Sequence, residues 1–325
     1  MTETQDAGEQ RHYTVDDVDR LAKKYSNWGR WGAEDEIGTL NHVTAASRVA
    51  AAQLVQTGEV ISLALPFDAN GPQTGAFGRV NPIHYMMATG ADALAGAQDH
   101  MPTTRHADDG ITMPLSCGTQ WDGLSHIFYE GKMYNDRSAA LVSSNGAARN
   151  GVQNMRDKVV GRAVLLDLPR ASGREWLEPG EAVDADTLDA AAAFAGVAIG
   201  AGDFVLIRTG QLAQVRAQGS WGDYAGGSAP GLSVTTAAWF AEREVAGYAT
   251  DTWGTEVLPN ETPDVFQPLH IIMLVHMGML IGEMFDLEEL AQRCAEDGRN
   301  EFMLVAPPLP ITGAVASPVN PLAIR

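Results

Sequence analysis

Cysteine is nearly missing from this chain of 325 residues: only Cys117 and Cys294 occur, far apart in sequence. A disulfide framework is therefore excluded, and a reducing interior fits best. Positive charge is also scarce, with 22 Lys and Arg against 41 Asp and Glu and a formal net charge of −19. No basic face is available to neutralise phosphates, so neither a nucleic acid nor an anionic membrane is expected as a partner. Long apolar runs are absent; the longest, 271–280, contains His276 and is too short to span a bilayer. The segment from Met1 to Gln10 has no basic start and no apolar stretch, so it does not read as a secretory signal, and a cytoplasmic protein is expected. Internal repeats, a glycine-rich phosphate loop, a CxxC pair and a serine-nucleophile elbow are all missing. What remains, 45% hydrophobic and 19% charged residues, is the composition of a compact globule.

The densest chemistry lies in Ser116-Cys117-Gly118-Thr119-Gln120-Trp121-Asp122-Gly123-Leu124-Ser125-His126. Read as a strand, Ser116, Gly118, Gln120 and Asp122 share one face by the two-residue period, and Gly123 permits a bend that returns His126 beside them. Gln120, Asp122 and His126 offer two oxygen donors and one nitrogen donor, a set that suits zinc or manganese. The ordinary alternative is that Gln and Asp beside a glycine turn only bond the local backbone. Cys117 alternates with the polar face and is expected to pack inward as a small hydrophobe.

Around this stretch, strands and helices alternate. Thr14 and Thr44 read as N-caps of two early helices, followed by a strand at 60–65. Between them a glycine-rich loop carries Trp28 and Trp31, which either shape a binding mouth or staple the loop to a neighbouring core. Residues 66–113 are broken by Pro, Gly, Asn and Asp and read as surface excursions; His84 within them is a loop histidine that can reach a site. Phe128 and Tyr134 are pocket-lining candidates or ordinary packing. Buried strands are predicted at 161–168, 203–209 and 245–251, with helices at 184–195 and 234–243. Asp251, Trp253 and Glu256 follow the last of these strands, where open α/β sheets bind ligands, although solvated loop acids are the commoner case. An apolar helix at 269–277 bears His270 and His276, and a strand at 279–285 contains Glu283. An ionised Glu283 in that run needs a cation or strong donors: a metal, or a neighbouring arginine or histidine.

Three stretches together resemble the metal-dependent cyclase superfamily that includes bacterial kynurenine formamidase and isatin hydrolase. They are Gly118-Thr119-Gln120-Trp121-Asp122-Gly123-Leu124-Ser125-His126; His270 with Gly278 and Glu283; and Ala306-Pro307-Pro308-Leu309-Pro310-Ile311 near Ser317-Pro318. Trp28-Gly29 and Glu36-Ile37-Gly38-Thr39-Leu40-Asn41 look like the longer-chain branch. Where that superfamily usually has two early histidines, this chain has Ser116 and Gln120; glutamine at the second position is similar to the trans-dienelactone hydrolase branch, and Ser116 departs even from that. The resemblance implies an α/β fold with a mixed, barrel-like β-sheet core and surrounding helices, of the swivelling β/β/α type. It divides the chain into an N-terminal helical and loop extension, 1–59, packing on a metal-dependent hydrolase domain, 60–325.

By the same resemblance, the metal ligands are Gln120, Asp122, His126, His270 and Glu283 around a divalent ion, zinc or manganese. His126 is then either a ligand or the proton carrier. The expected reaction is hydrolysis of a lactone, lactam, imide or N-formyl arylamine, in a homo-oligomer, dimer or tetramer, acting on a small molecule. Trp28, Trp31, His84, Phe128, Tyr134, Asp251 and Trp253 are the substrate-binding candidates. A non-hydrolytic ring closure or dehydration, and a non-catalytic small-molecule binder, are the competing readings.

Overall fold

The computed structural model describes residues 12–325; the Met1–Gln10 segment lies outside the described residues. Its centre is a nine-stranded mixed sheet that curls into a half-barrel. In chain order the strands are β1 (Val60–Ser62), β2 (Gln120–Asp122), β3 (Val160–Asp167), β4 (Phe204–Arg208), β5 (Gly247–Thr250), β6 (Leu280–Glu283), β7 (Glu301–Val305), β8 (Ala316–Pro318) and β9 (Leu322–Ile324). Across the sheet they run β1-β9-β7-β3-β4-β5-β6-β2-β8. The middle four, β3 to β6, are parallel neighbours, and all other pairings are antiparallel.

The parallel part follows from the sequence pattern. Strands β4 and β5 are buried at every position, as the near-continuous apolar runs require of a sheet covered on both faces. Between β3 and β4 the helix Ala185–Ala195 is capped by Asp184, whose side chain accepts from the Thr187 amide. The helix Thr236–Glu242 precedes β5, and Glu288–Asp297 follows β6. One large apolar core, including Val164, Leu206, Phe240, Tyr248 and Ile281, fills the space between sheet and helices.

The helix Val15–Lys24 starts at a capping box made by Thr14 and Asp17. The loop after it docks on the segment Ile271–Met277, a run of π-helix that continues directly from Pro268–His270. There the Asn27 amide donates to the His276 carbonyl, and Trp28 Nε1 to the Val275 carbonyl at 2.7 Å.

Residues 66–113 are not wholly irregular. Ile83–Ala88 and Asp108–Thr112 pair as an antiparallel hairpin outside the main sheet, with Ile83, Tyr85, Met86 and Ile111 exposed. The mixed polar and apolar composition of this arm conceals its strand pairing. Strand β2 is also shorter than the alternation predicts, because only Gln120–Asp122 pairs; Ser116 lies in a turn, and Cys117 to Thr119 form a bend. Among the described residues no helix is long and apolar enough to cross a membrane.

Candidate active site

Register brings the polar residues of β2 and β6 together. Gln120 pairs with Glu283, and Asp122 with Ile281. Gln120 and Asp122 therefore share the face on which Glu283 stands. Two interior strands place these groups where solvent is excluded, and Gln120, Asp122 and Glu283 are all buried. Tight packing behind them needs glycine: a Cβ on Gly282 would lie 2.4 Å from the Ala249 Cβ and 2.7 Å from Trp121 Cζ3.

Gly123 acts by close approach, since a Cβ there would come within 2.8 Å of the Val315 carbonyl oxygen. The turn it opens, closed by the His126 amide on the Gly123 carbonyl, carries His126 back over the strand end. His126 Nε2 then stands 3.8 Å from Asp122 Oδ1, and its Nδ1 is buried without a partner.

His270 enters from the helix preceding β6. Its Nε2 lies 3.2 Å from Glu283 Oε1 and 4.0 Å from Asp122 Oδ2. Its Nδ1 is held at 2.5 Å by Glu256 Oε1, and Glu256 also accepts the backbone amides of Leu269 and His270. One ligating atom each from Asp122, His270 and Glu283 falls within 4.8 Å of the others. Gln120 Nε2 donates to Asp122 Oδ1 at 3.1 Å and to Glu283 Oε2 at 2.8 Å, while its Oε1 is buried without a partner.

These contacts strain the protonation equilibria. Burial and the neighbouring Asp122 carboxylate push the Glu283 carboxyl up to about 7, against the pull of His270. Burial would drive the His270 proton off, but the hydrogen bonds it donates to Glu256 and Glu283 outweigh this and raise the imidazole to about 10. His126 moves the other way, because burial lowers its basicity and Asp122 only partly offsets this. The His270 imidazolium thus touches this buried acidic cluster. That donor chemistry fits a divalent ion: two carboxylates, one imidazole nitrogen whose other nitrogen is anchored by an acid, and two orphaned polar atoms beside them.

The group lies at the floor of a cleft of about 380 Å³, large enough for a small-molecule ligand. Asp122, His126, His270 and Glu283 form one side; Phe77, Arg79, Trp253, Phe266, Gln267 and Ile127 form the rest. Phe77 stacks on Trp253 with ring centroids 5.8 Å apart, and lies 5.9 Å from Phe266. Both Phe77 and Gln267 hold positive φ, 54° and 51°, a conformation uncommon outside glycine. A larger cleft of about 750 Å³ elsewhere is lined by charges already satisfied by one another, Arg208 by Asp167 and Glu288, and Arg216 by Asp286.

Of the substrate-binding candidates, Trp253 lines the cleft and the others do not. Trp28 stacks on His276 at 4.8 Å, and Trp31 meets His42 edge-on at 5.2 Å, both in the docked N-terminal loop. Exposed His84 pairs with Asp109 at 2.7 Å on the hairpin arm. Phe128 is exposed beyond the His126 turn. Tyr134 is buried, its hydroxyl donating to Asp35. Asp251 is consumed by the backbone: it accepts the Thr209 amide and hydroxyl and the Gly210 amide, and burial pushes its carboxyl up to about 6. Ser116 is buried but outside the cleft lining, and the Cys117 thiol, pushed up by burial, packs inward. Phe77, Arg79, Phe266 and Gln267 had no sequence signal beyond lying in loops rich in Gly, Asn and Pro.

A sequence model of the cyclase family matches residues 39–257. The chain belongs to the cyclase family. Its fold agrees with the crystal structure of a novel cyclase at 39% identity and a TM-score of 0.84, over 94% of this chain and 99% of that one. More distant cyclase-fold structures include isatin hydrolase A from Ralstonia solanacearum, at 19% identity and a TM-score of 0.60 over 86% of this chain and 94% of that one. Isatin hydrolase A from Labrenzia aggregata, bound to benzyl benzoate, matches at 18% and 0.58 over 86% and 98%. No curated protein matches this cyclase-family chain.

Proposed function

We propose that this cyclase-family protein is a metal-dependent hydrolase that opens a small cyclic ester or amide, or cleaves an N-formyl arylamine. The observation that carries the reading is the convergence of Asp122, His270 and Glu283, buried and within 4.8 Å of one another, at the floor of an aromatic-walled cleft. These three residues would hold a divalent ion, zinc or manganese, and Gln120 and His126 are the further donors in reach. Such an ion, when bound, polarises a carbonyl and lowers the pKa of water to about 7, so no protein nucleophile is needed.

The chain's own residues do the rest. Glu256 holds one proton on His270 Nδ1, so that loss of the other turns the Nε2 lone pair toward the two carboxylates. His126, kept neutral by burial, accepts a proton at Nε2 and returns it to the leaving nitrogen or oxygen. The wall of Phe77, Trp253 and Phe266 orients a flat ring. A homo-oligomer in the cytoplasm remains part of the proposal.

The test is a screen of zinc- and manganese-loaded protein against lactones, cyclic imides and formamides, read by product mass. Products one water heavier than a cyclic substrate, or the separated amine and formate, support hydrolysis. Products of unchanged mass or lighter by one water would replace it with ring closure or dehydration.

A further inference from the structure

Arg79 occupies the cleft wall with its guanidinium 5.3 Å above the Trp253 ring. Its side chain makes no hydrogen bond and no ion pair among the described residues, in a chain whose acids outnumber its bases 41 to 22. Arg208 and Arg216, which line the other large cleft, each pair with an acid on two nitrogens. A half-buried guanidinium stacked on an aromatic face, with no acid bonded to it and Glu283 near enough only to feel its charge, still has its in-plane N–H donors to offer. Arg79 follows Phe77 and Gly78 in a loop whose aromatic residue stacks against Trp253, so the cation and the flat apolar wall are delivered together.

We propose that Arg79 recognises an anionic group on the substrate, and that the substrate class is therefore a planar aromatic amide or ester bearing a carboxylate or similar anion away from the bond that is cleaved. The identity of the cleaved bond rests on the hydrolase reading above; recognition of the anion does not. Arg79 is a specificity residue, and the fork of its N–H groups matches a carboxylate in a way that a lysine matches only as a point charge.

Calorimetric titration of zinc-loaded protein with benzenesulfonate and with methyl phenyl sulfone, a neutral analogue of similar shape, tests this. The anion is expected to bind roughly tenfold or more tightly than the sulfone. That preference should vanish in Arg79→Gln and survive in part in Arg79→Lys, with zinc content and circular dichroism confirming that both variants fold. Equal binding of the two probes, or a preference that Arg79→Gln leaves intact, overturns the inference; the latter result would credit the metal with the anion. In parallel, kcat/KM for formanilide and for the three formamidobenzoates gives the ratio of charged to neutral turnover, which should fall in Arg79→Gln. Probe binding that depends on Arg79 without any turnover leaves the inference standing and fails the hydrolase reading. Turnover with a ratio indifferent to Arg79 does the reverse.

Discussion

Glu256 Oε1 lies 2.5 Å from His270 Nδ1, and the same carboxylate accepts the Leu269 and His270 amides that open the helix. One buried acid therefore fixes the backbone, the ring orientation and the tautomer of His270. Removing the charge should loosen all three. Glu256→Gln is expected to weaken zinc binding about 10- to 100-fold, as carboxylate partners of metal-binding imidazoles generally do. Competition with a chromogenic chelator measures it, and unchanged affinity would assign Glu256 to the helix start alone.

Binding of a cation should release protons. His270, raised to about 10, holds a proton through neutral pH, and Glu283, raised to about 7, begins to hold one below neutrality. Both must leave for the atoms to act as ligands, so affinity rises with pH. Calorimetry in buffers of different ionisation enthalpy should find about one proton released at pH near 8.5, and between one and two near 6.5. Zero release at both values would mean that the ion binds elsewhere.

The Gln120 amide lies between two carboxylates, donating to Asp122 and to Glu283. Gln120→Leu should cost the metal-free protein about 1–3 kcal/mol, the usual penalty of leaving buried acceptors unpaired. Saturating zinc should restore much of that loss. Denaturant unfolding with and without zinc decides; an equal loss under both conditions would show that the carboxylates do not serve a cation.

His126 has two possible duties, ligand and proton carrier, and one variant divides them. With Nδ1 unpartnered and Nε2 3.8 Å from Asp122, the proton-carrying role is the one expected. His126→Asn should then lower kcat by about 10²- to 10⁴-fold while zinc content stays near that of the parent. Loss of zinc along with activity would make His126 a ligand.

Gly282 has no space for a side chain, being wedged between Ala249 and the Trp121 indole. Gly282→Ala should destabilise the fold by about 1–3 kcal/mol through overpacking, measured by urea unfolding. A neutral effect would mean that β2 and β6 can move apart, and that the site they position is looser than described.

Much of this site could be read from the chain alone because it is built on short-range rules. Gln120 and Asp122 are two apart on a strand, Gly123 turns the chain, and Glu283 is a charge in an apolar run. The cleft's opposite wall obeys no such rule. Arg79 and Phe77 sit in a loop of Pro, Gly and Asn, and only the tertiary fold brings Phe77 over Trp253, 176 positions along the chain. Trp28, Tyr134 and Asp251 carried side chains suited to a ligand, but each has a backbone or side-chain partner within the fold. The hairpin at 83–112 has no clear signature in the sequence, because its strands alternate neither cleanly nor toward a core.

The central claim is that a cation sits among Asp122, His270 and Glu283. Anomalous diffraction at the zinc edge from crystals grown with zinc tests it most directly. The expected result is one strong peak per chain within about 2.0–2.2 Å of a nitrogen of His270 and oxygens of both acids, absent from Asp122→Ala crystals. A peak elsewhere, or none between these three side chains in the parent protein, would contradict it.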